Sequence, residues 1–227
     1  MISWKNDKEL FSLMRTHLYT AVVGDILDQM QQYHQFLPQE IQPMQEDMVI
    51  AGRAMTVLEQ DVAVEGQSSG LGSKAFGRML EALDDLREDE VYLCSGASMN
   101  YALVGELMCT RMQVLGAAGA VVNGFHRDSK GILDLQFPCF SRGRYSQDQA
   151  PRGEVVDYRV PVKINQVHVA PGDIVFADLD GVVVIPRAIE REVIELSYVK
   201  ATGERTVADA IRKGMTACAS FEKFGIM

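Results

Sequence analysis

The chain has 227 residues, 47% of them hydrophobic, and 31 acidic against 22 basic residues give it a net charge of −9. That is enough chain for one large domain or two small ones. The acidic balance disfavours direct binding to nucleic-acid backbones, and no apolar run reaches the ~18 residues that would cross a membrane. The N-terminal stretch MISWKNDKELFSLMRTHLY mixes charges with helically spaced apolar residues and lacks the apolar core of a secretory signal. Cys94, Cys109, Cys139 and Cys218 form no C-x-x-C pair, so a zinc site built from them is not expected. The expectation is a reduced, cytoplasmic protein.

In chain order, Thr20 precedes AVVGDILDQM and can cap that helix with its hydroxyl, with Ala21, Ile26 and Met30 on one buried face. MVIAGRAMTVLE (48–59) reads as a strand. Residues 59–74, rich in Gly and Ser, read as an exposed loop; the run Gly70-Leu71-Gly72-Ser73-Lys74 lacks the spacing of a phosphate loop. Met79, Leu80, Leu83 and Leu86 have the period of an amphipathic helix over 77–87. Then come strand 90–95, helix 104–115 closed by Gly116 to Gly119, strand 120–122 broken by Gly124, and strand 137–141. Strand–helix–strand implies parallel pairing with a right-handed crossover. Strands over 155–161, 164–170, 174–177 and 182–185 are joined by turns at Pro171-Gly172-Asp173 and 178–181, hence antiparallel. Residues 187–213 form one long helix or two, stopped by Gly214. The cluster Arg142, Arg144 and Arg152 reads as a solvated loop. The mixture predicts an α/β layered domain with helices over a central sheet and a second sheet beneath.

Glu106 begins the helix after one middle strand, and Arg127 and Asp128 follow the next. Parallel neighbours bring such loops together at the strands' C-terminal ends, where open α/β sheets bind ligands. Neighbouring carboxylates repel unless a positive charge lies between them. A divalent cation such as Mg²⁺, which needs only one or two protein carboxylates, meets that need. Arg127 offers a fork matched to a carboxylate. A cation beside an arginine describes a pocket for a 2-keto acid. The loop from Ser98 through Leu103, Val104 and Gly105 leads into the helix, and the free N–H groups of a helix start favour an anion. Leu103 and Val104 are the candidates for this backbone role.

Glu106, twenty intervening residues and Arg127-Asp128 resemble the acidic-x20-Arg-Asp signature of class II 4-hydroxy-4-methyl-2-oxoglutarate aldolases. These belong to the RraA-like family, named for a regulator of ribonuclease E activity. GELMCTRMQVLGAAGAVVNGFHRD, FPCFSRG, APGDIVFADLDGVVVIP, GERTVADAIRKGM and FEKFGIM also resemble the family's blocks, covering about 95–227. The resemblance implies a single three-layer β/β/α domain of the swivelling phosphohistidine type over 1–227. Its N-terminal helices would span about 1–45, its core about 46–186 and its C-terminal helices about 187–227. It implies a homotrimer or homohexamer with sites between subunits and a Mg²⁺ or Mn²⁺ cofactor. It further implies retro-aldol cleavage of a 2-keto acid releasing pyruvate, with oxaloacetate decarboxylation as a second activity. By position, Asp128 would ligate the metal and Glu106 would hold water on it. Arg127 would bind substrate and polarise its keto group, the 103–105 segment including Gly105 would contact substrate, and Glu204 would reach a neighbouring subunit's site.

The chain departs from the family in carrying Glu rather than Asp at 106 and Asn rather than Asp at 123. His126 is unusual beside Arg127; it reads as a packing or surface histidine, with a second acid–base group as the alternative. His17, His34 and His168 fall outside the constellation and read as non-catalytic. The competing functional reading is a non-catalytic protein regulator of the ribonuclease E type, its acidic surface docking on a basic partner.

Overall fold

The structure, a computed structural model, describes residues 2–62 and 76–226. Its longest strand, β2 (Ile50–Asp61), is buried at most positions of both faces, the mark of a strand covered on both sides. The small and branched residues of IAGRAMTV suit that place. β2 pairs in parallel with β3 (Glu90–Ser95), β3 with β5 (Gly119–Val122), and β5 with β7 (Cys139–Ser141). Its other edge is shared. The first half hydrogen-bonds β11 (Ile174–Asp178), which turns into β12 (Gly181–Ile185), and the second half takes β8 (Gly153–Tyr158), all antiparallel. The short β1 (Gln42–Pro43) closes the edge beside β7.

Alternation along the strands sorts the core into layers. On one face, Met55, Tyr92, Cys94, Ala120 and Cys139 meet α3 (Met79–Asp84), α4 (Glu106–Val114) and α5 (Ser129–Asp134). Further along that face, Ala51, Phe176 and Val183 meet α1 (Asp7–His17), α2 (Thr20–Gln29) and α6 (Glu190–Arg212). On the opposite face, Ala54, Leu93, Val121, Phe140 and Val175 meet an antiparallel hairpin, β9 (Val162–Ile164) and β10 (Val167–Val169). Helices cover one side and a second small sheet the other, which is the expected β/β/α arrangement. α6 is a single helix over the C-terminal region, followed by α7 (Ala217–Phe224), and Gly214 takes a left-handed φ of 97° where α6 ends. Among the described residues no helix is long and apolar enough to cross a membrane.

Several local expectations need correction. Thr20 does not cap α2; it is the first helical residue, and Asp178 caps from across the fold. The Asp178 carboxylate accepts the Thr20 N–H at 2.7 Å and its hydroxyl at 2.6 Å. Ala21 is exposed, and the buried face of α2 is Val22, Val23, Ile26 and Leu27. Only the first part of the N-terminal region is helical, since α2 ends at Gln29. Leu80 is exposed while Met79, Leu83 and Leu86 are buried. Residues 164–170 are not one strand: Asn165 takes φ 51° and turns the chain between β9 and β10, a conformation that asparagine tolerates. Residue 104 precedes helix α4, in a strand. The expected loop over 59–74 starts late, because Glu59 is a buried residue of β2; the run 70–74 lies outside the described residues.

Candidate active site

A second ladder, separate from the main sheet, builds the site. β4 (Ala102–Val104) and β6 (Phe125–His126) pair in parallel, and the Arg127 N–H donates to the Val104 carbonyl at 2.9 Å. This is what sets Gly105-Glu106 beside Arg127-Asp128. Gly105 is the N-cap of α4. A Cβ there would stand 2.6 Å from Asp128 Oδ2 and 3.3 Å from Arg127 Cγ, so glycine leaves the room the acid occupies. Asp128 sits in the left-handed region at φ 55°, ψ 37°, at the start of α5, a conformation aspartate adopts more readily than most residues. Its Oδ2 accepts the Glu106 N–H at 3.4 Å and lies 3.5 Å from Arg127 Nε. Asp128 is thus the carboxylate that meets the positive end of α4.

Asp148 holds the other side of the guanidinium, its Oδ1 3.1 Å from Arg127 Nη1. Arginine has five N–H donors in a planar fork. Nε and Nη1 thus each face a carboxylate. Arg127, Asp128 and Asp148 line a cleft of about 400 Å³ whose floor is Leu103, Val104 and Gly105 and whose wall comes from α3 and α4. Leu103 and Val104 are buried strand residues rather than part of a helix's first turn. The backbone role expected of them on the ground of a helix start passes to the amides that open α4.

Glu106 stands apart from the cleft wall. Its carboxyl group lies over Gly131 of α5, where an added Cβ would fall 2.2 Å from Glu106 Cδ. Glu204 is not brought to the trio within the chain. It lies on α6, accepts a hydrogen bond from the Tyr19 hydroxyl and pairs with Lys200 Nζ at 3.0 Å; burial raises its pKa. His126 points to another place. Its Nδ1 is 2.6 Å from Ser141 Oγ, and burial holds its pKa below the usual imidazole range. It lines a separate cleft with Arg142 and Arg144. Arg142 is not a solvated residue: its Nε donates to Asn123 Oδ1 at 2.9 Å and its Nη1 lies 3.4 Å from Glu40.

Three contributors escaped sequence reasoning. Asp148 and Gln149 come from the loop before β8, twenty residues past Asp128, and no periodicity marks them. Gln149 lines the cleft and donates its Nε2 to Glu59 Oε1 at 2.6 Å. Glu59 is buried, and burial pushes its pKa up to about 8. Beside it, the Tyr101 hydroxyl donates to Asp61 Oδ1 at 2.8 Å. A glutamate falling on an otherwise buried strand was the available signal.

Asp128 and Asp148 flank one arginine and Glu106 opens the adjoining helix, so the site's own charge is negative. Among the described residues no three metal-ligating side chains cluster tightly enough to enclose an ion. The donor set instead suits a hard cation that keeps several waters and takes one or two carboxylates. Asp128 is exposed at the cleft, while Glu106, exposed at the start of α4, is not among the cleft's lining residues.

A helix-covered sheet beside a separate parallel β4–β6 ladder, with an Arg-Asp pair next to an acidic helix start, defines a layered α/β protein with a charged cleft. The sequence pattern of the RraA-like family, described as Aldolase/RraA, matches residues 20–184, and the chain belongs to this family. It is 28% identical over 202 residues, 89% of each chain, to a Halalkalibacterium halodurans protein named "Putative 4-hydroxy-4-methyl-2-oxoglutarate aldolase". Two solved structures share the fold. One is an uncharacterized protein from Pseudomonas syringae pv. tomato, with a TM-score of 0.85 and 24% identity over 98% of this chain and 99% of that one. The other is Streptomyces coelicolor RraAS2, an unusual member of the RNase ES inhibitor RraA family, with a TM-score of 0.76 and 22% identity over 90% and 98% of the chains. Glu106, Arg127, Asp128 and Asp148 fall inside the matched segment, and Glu204 falls outside it.

Proposed function

We propose that the chain is a divalent-metal-dependent carbon–carbon lyase that cleaves a 2-keto acid by a retro-aldol reaction and releases pyruvate, with oxaloacetate decarboxylation as a second activity. The observation that carries this reading is the guanidinium of Arg127, placed between Asp128 and Asp148 at the wall of a cleft. Planar, bidentate recognition of a carboxylate is what such a fork does.

Both reactions leave a pyruvate enolate, so both need positive charge where the keto oxygen becomes an oxyanion. Arg127 supplies it from a position already set before substrate arrives, and binds the substrate's carboxylate. Asp128 and Glu106 are the residues that would hold Mg²⁺ or Mn²⁺. When bound, that cation supplies Lewis-acid stabilisation of the same developing charge. Leu103, Val104 and Gly105 form the floor against which the keto acid lies, and α3 and α4 supply an apolar wall. A homotrimer or homohexamer is part of this reading, with Glu204 reaching a neighbouring subunit; size-exclusion chromatography with light scattering tests the oligomer.

The deciding experiment is pyruvate release, followed through lactate dehydrogenase, from 4-hydroxy-4-methyl-2-oxoglutarate and from oxaloacetate, each with Mg²⁺ and with excess EDTA. Metal-dependent release from the hydroxy acid supports the aldolase, and release from oxaloacetate alone keeps the chemistry but moves the substrate. Silence toward both in folded protein favours a protein regulator.

A further inference from the structure

Gln149 meets the cleft and the core at once. It is 4% exposed and borders the cleft beside Asp148. Its Nε2 turns down to the strand beneath and donates to Glu59 Oε1 at 2.6 Å. Glu59 is 2% exposed, in the second half of β2. A side-chain amide carries two donors on its nitrogen and an acceptor on its oxygen. With the nitrogen engaged from below, the polar atom that Gln149 can offer the cleft is Oε1.

The network beneath decides which way the amide lies. Glu59 also meets the Tyr101 hydroxyl. That hydroxyl donates to Asp61 Oδ1 at 2.8 Å, and the Ser98 N–H holds the same oxygen at 3.0 Å. A hydroxyl whose proton is committed can only accept from a further neighbour. The proton that burial keeps on Glu59 therefore belongs on the oxygen facing Tyr101, and Oε1 stays an acceptor for Gln149. Turning the amide over would set oxygen against oxygen. A neighbouring subunit can add groups to the cleft, but Glu59, Tyr101 and Gln149 belong to one chain and are buried in it.

Resting on the lyase reading above, we infer that Gln149 recognises the 4-hydroxyl of the substrate, accepting its hydrogen bond through Oε1, and that Glu59 is the positioning residue that holds the amide for it. Arg127 has Asp128 at its Nε and Asp148 at its Nη1. A keto acid held at its carboxyl end between Arg127 and the Asp128 side extends C4 toward the Asp148–Gln149 side. An uncharged acceptor suits a hydroxyl there. It disfavours a carboxylate in the same place, because two acceptors then meet with no proton between them. Gln149 thereby favours 4-hydroxy-2-keto acids over oxaloacetate, whose C4 is a carboxylate. The amide oxygen orients the hydroxyl and takes no proton from it.

The test compares kcat/KM for 4-hydroxy-4-methyl-2-oxoglutarate and for oxaloacetate, with Mg²⁺, in the parent protein and in Gln149→Met, Glu59→Met and Glu59→Gln. Methionine keeps the length of either side chain without its hydrogen bonds, whereas Glu59→Gln keeps an acceptor for Gln149. The ratio of hydroxy acid to oxaloacetate should fall about tenfold in Gln149→Met, the upper end for one hydrogen bond between uncharged groups. It should fall nearly as far in Glu59→Met and return close to the parent's in Glu59→Gln. A merely structural defect lowers both substrates together. Equal losses on the two substrates, or a ratio unmoved in Gln149→Met, would overturn the inference, and that variant decides alone should Glu59→Met not fold. A ratio that moves in Gln149→Met but not in folded Glu59→Met would overturn the positioning role of Glu59. Release of pyruvate by the parent from oxaloacetate and not from the hydroxy acid overturns the inference while the lyase chemistry stands. Release from neither by folded protein defeats the lyase reading itself, and the inference with it.

Discussion

His126 and Arg127 are consecutive residues that line different clefts. Arg127 shares its cleft with Asp128 and Asp148, at the mouth of an apolar trough. His126 shares the other with Arg142 and Arg144, its ring fastened to Ser141. Alternation at the end of β6 sends one side chain to each side. The lesson is one of charge. The Arg127 side has more carboxylate than arginine, whereas the His126 side has more arginine than carboxylate.

The largest effect that would sharpen this contrast lies at the Arg127 side. Arg127→Ala and Asp128→Asn should each lower pyruvate release by at least ~10²-fold, the usual loss when one oxyanion stabiliser goes. Asparagine tolerates the left-handed backbone at 128, so thermal unfolding should show Asp128→Asn still folded. His126→Asn should leave turnover close to that of the parent. Comparable losses at 126 and 127 would erase the distinction between the clefts.

A smaller effect is expected from Asp148→Asn, which frees Nη1 of Arg127 without removing the fork. KM should rise about tenfold with kcat moving less, the pattern of a lost positioning contact. A fall in kcat with KM unchanged would instead give Asp148 a part in the transition state. Next comes Gly131→Ala. An alanine Cβ would meet the Glu106 carboxyl at 2.2 Å, and that carboxyl can swing away because its chain is flexible. Turnover should drop several-fold while the melting temperature holds or rises, since alanine favours helix over glycine by ~1 kcal/mol. Unchanged turnover would remove Glu106 from the site.

The smallest effect is on stability and concerns Glu59, beneath the cleft. Its pKa is pushed from 4.5 up to about 8 by burial, so between those values the folded chain keeps a proton that the unfolded chain has lost. The stability linked to that proton is complete below 4.5 and declines as pH rises through 8. The urea midpoint should therefore fall between about pH 5.5 and about pH 8.5, and Glu59→Gln should flatten the fall. A slope that survives in Glu59→Gln belongs to another group.

The parallel strands around 90–95 and 119–122 were legible because their apolar runs are short and separated by a helix of the right length. The expectation that Glu106 lies near Arg127-Asp128 rested on that pairing, although the β4–β6 ladder makes the contact. The β4–β6 ladder was not legible, because three residues, ALV, flow directly into the helix and share its apolar character. Asp148 reaches Arg127 only through the tertiary path of its loop, which no local pattern encodes. Glu204 was named from a family position, and its contacts to Tyr19 and Lys200 depend on how α6 crosses α2. The β9–β10 hairpin was hidden because its turn is only two residues long, marked by the left-handed Asn165.

Asp178 caps α2 from a hairpin 158 residues downstream of Thr20. On the ribosome, α2 emerges long before that carboxylate exists. A ten-residue helix without its cap is marginal in water, so the N-terminal segment waits for the end of the sheet before it settles. Asp178→Ala should speed amide exchange first at Thr20 to Val23, and leave the β2–β3 centre protected.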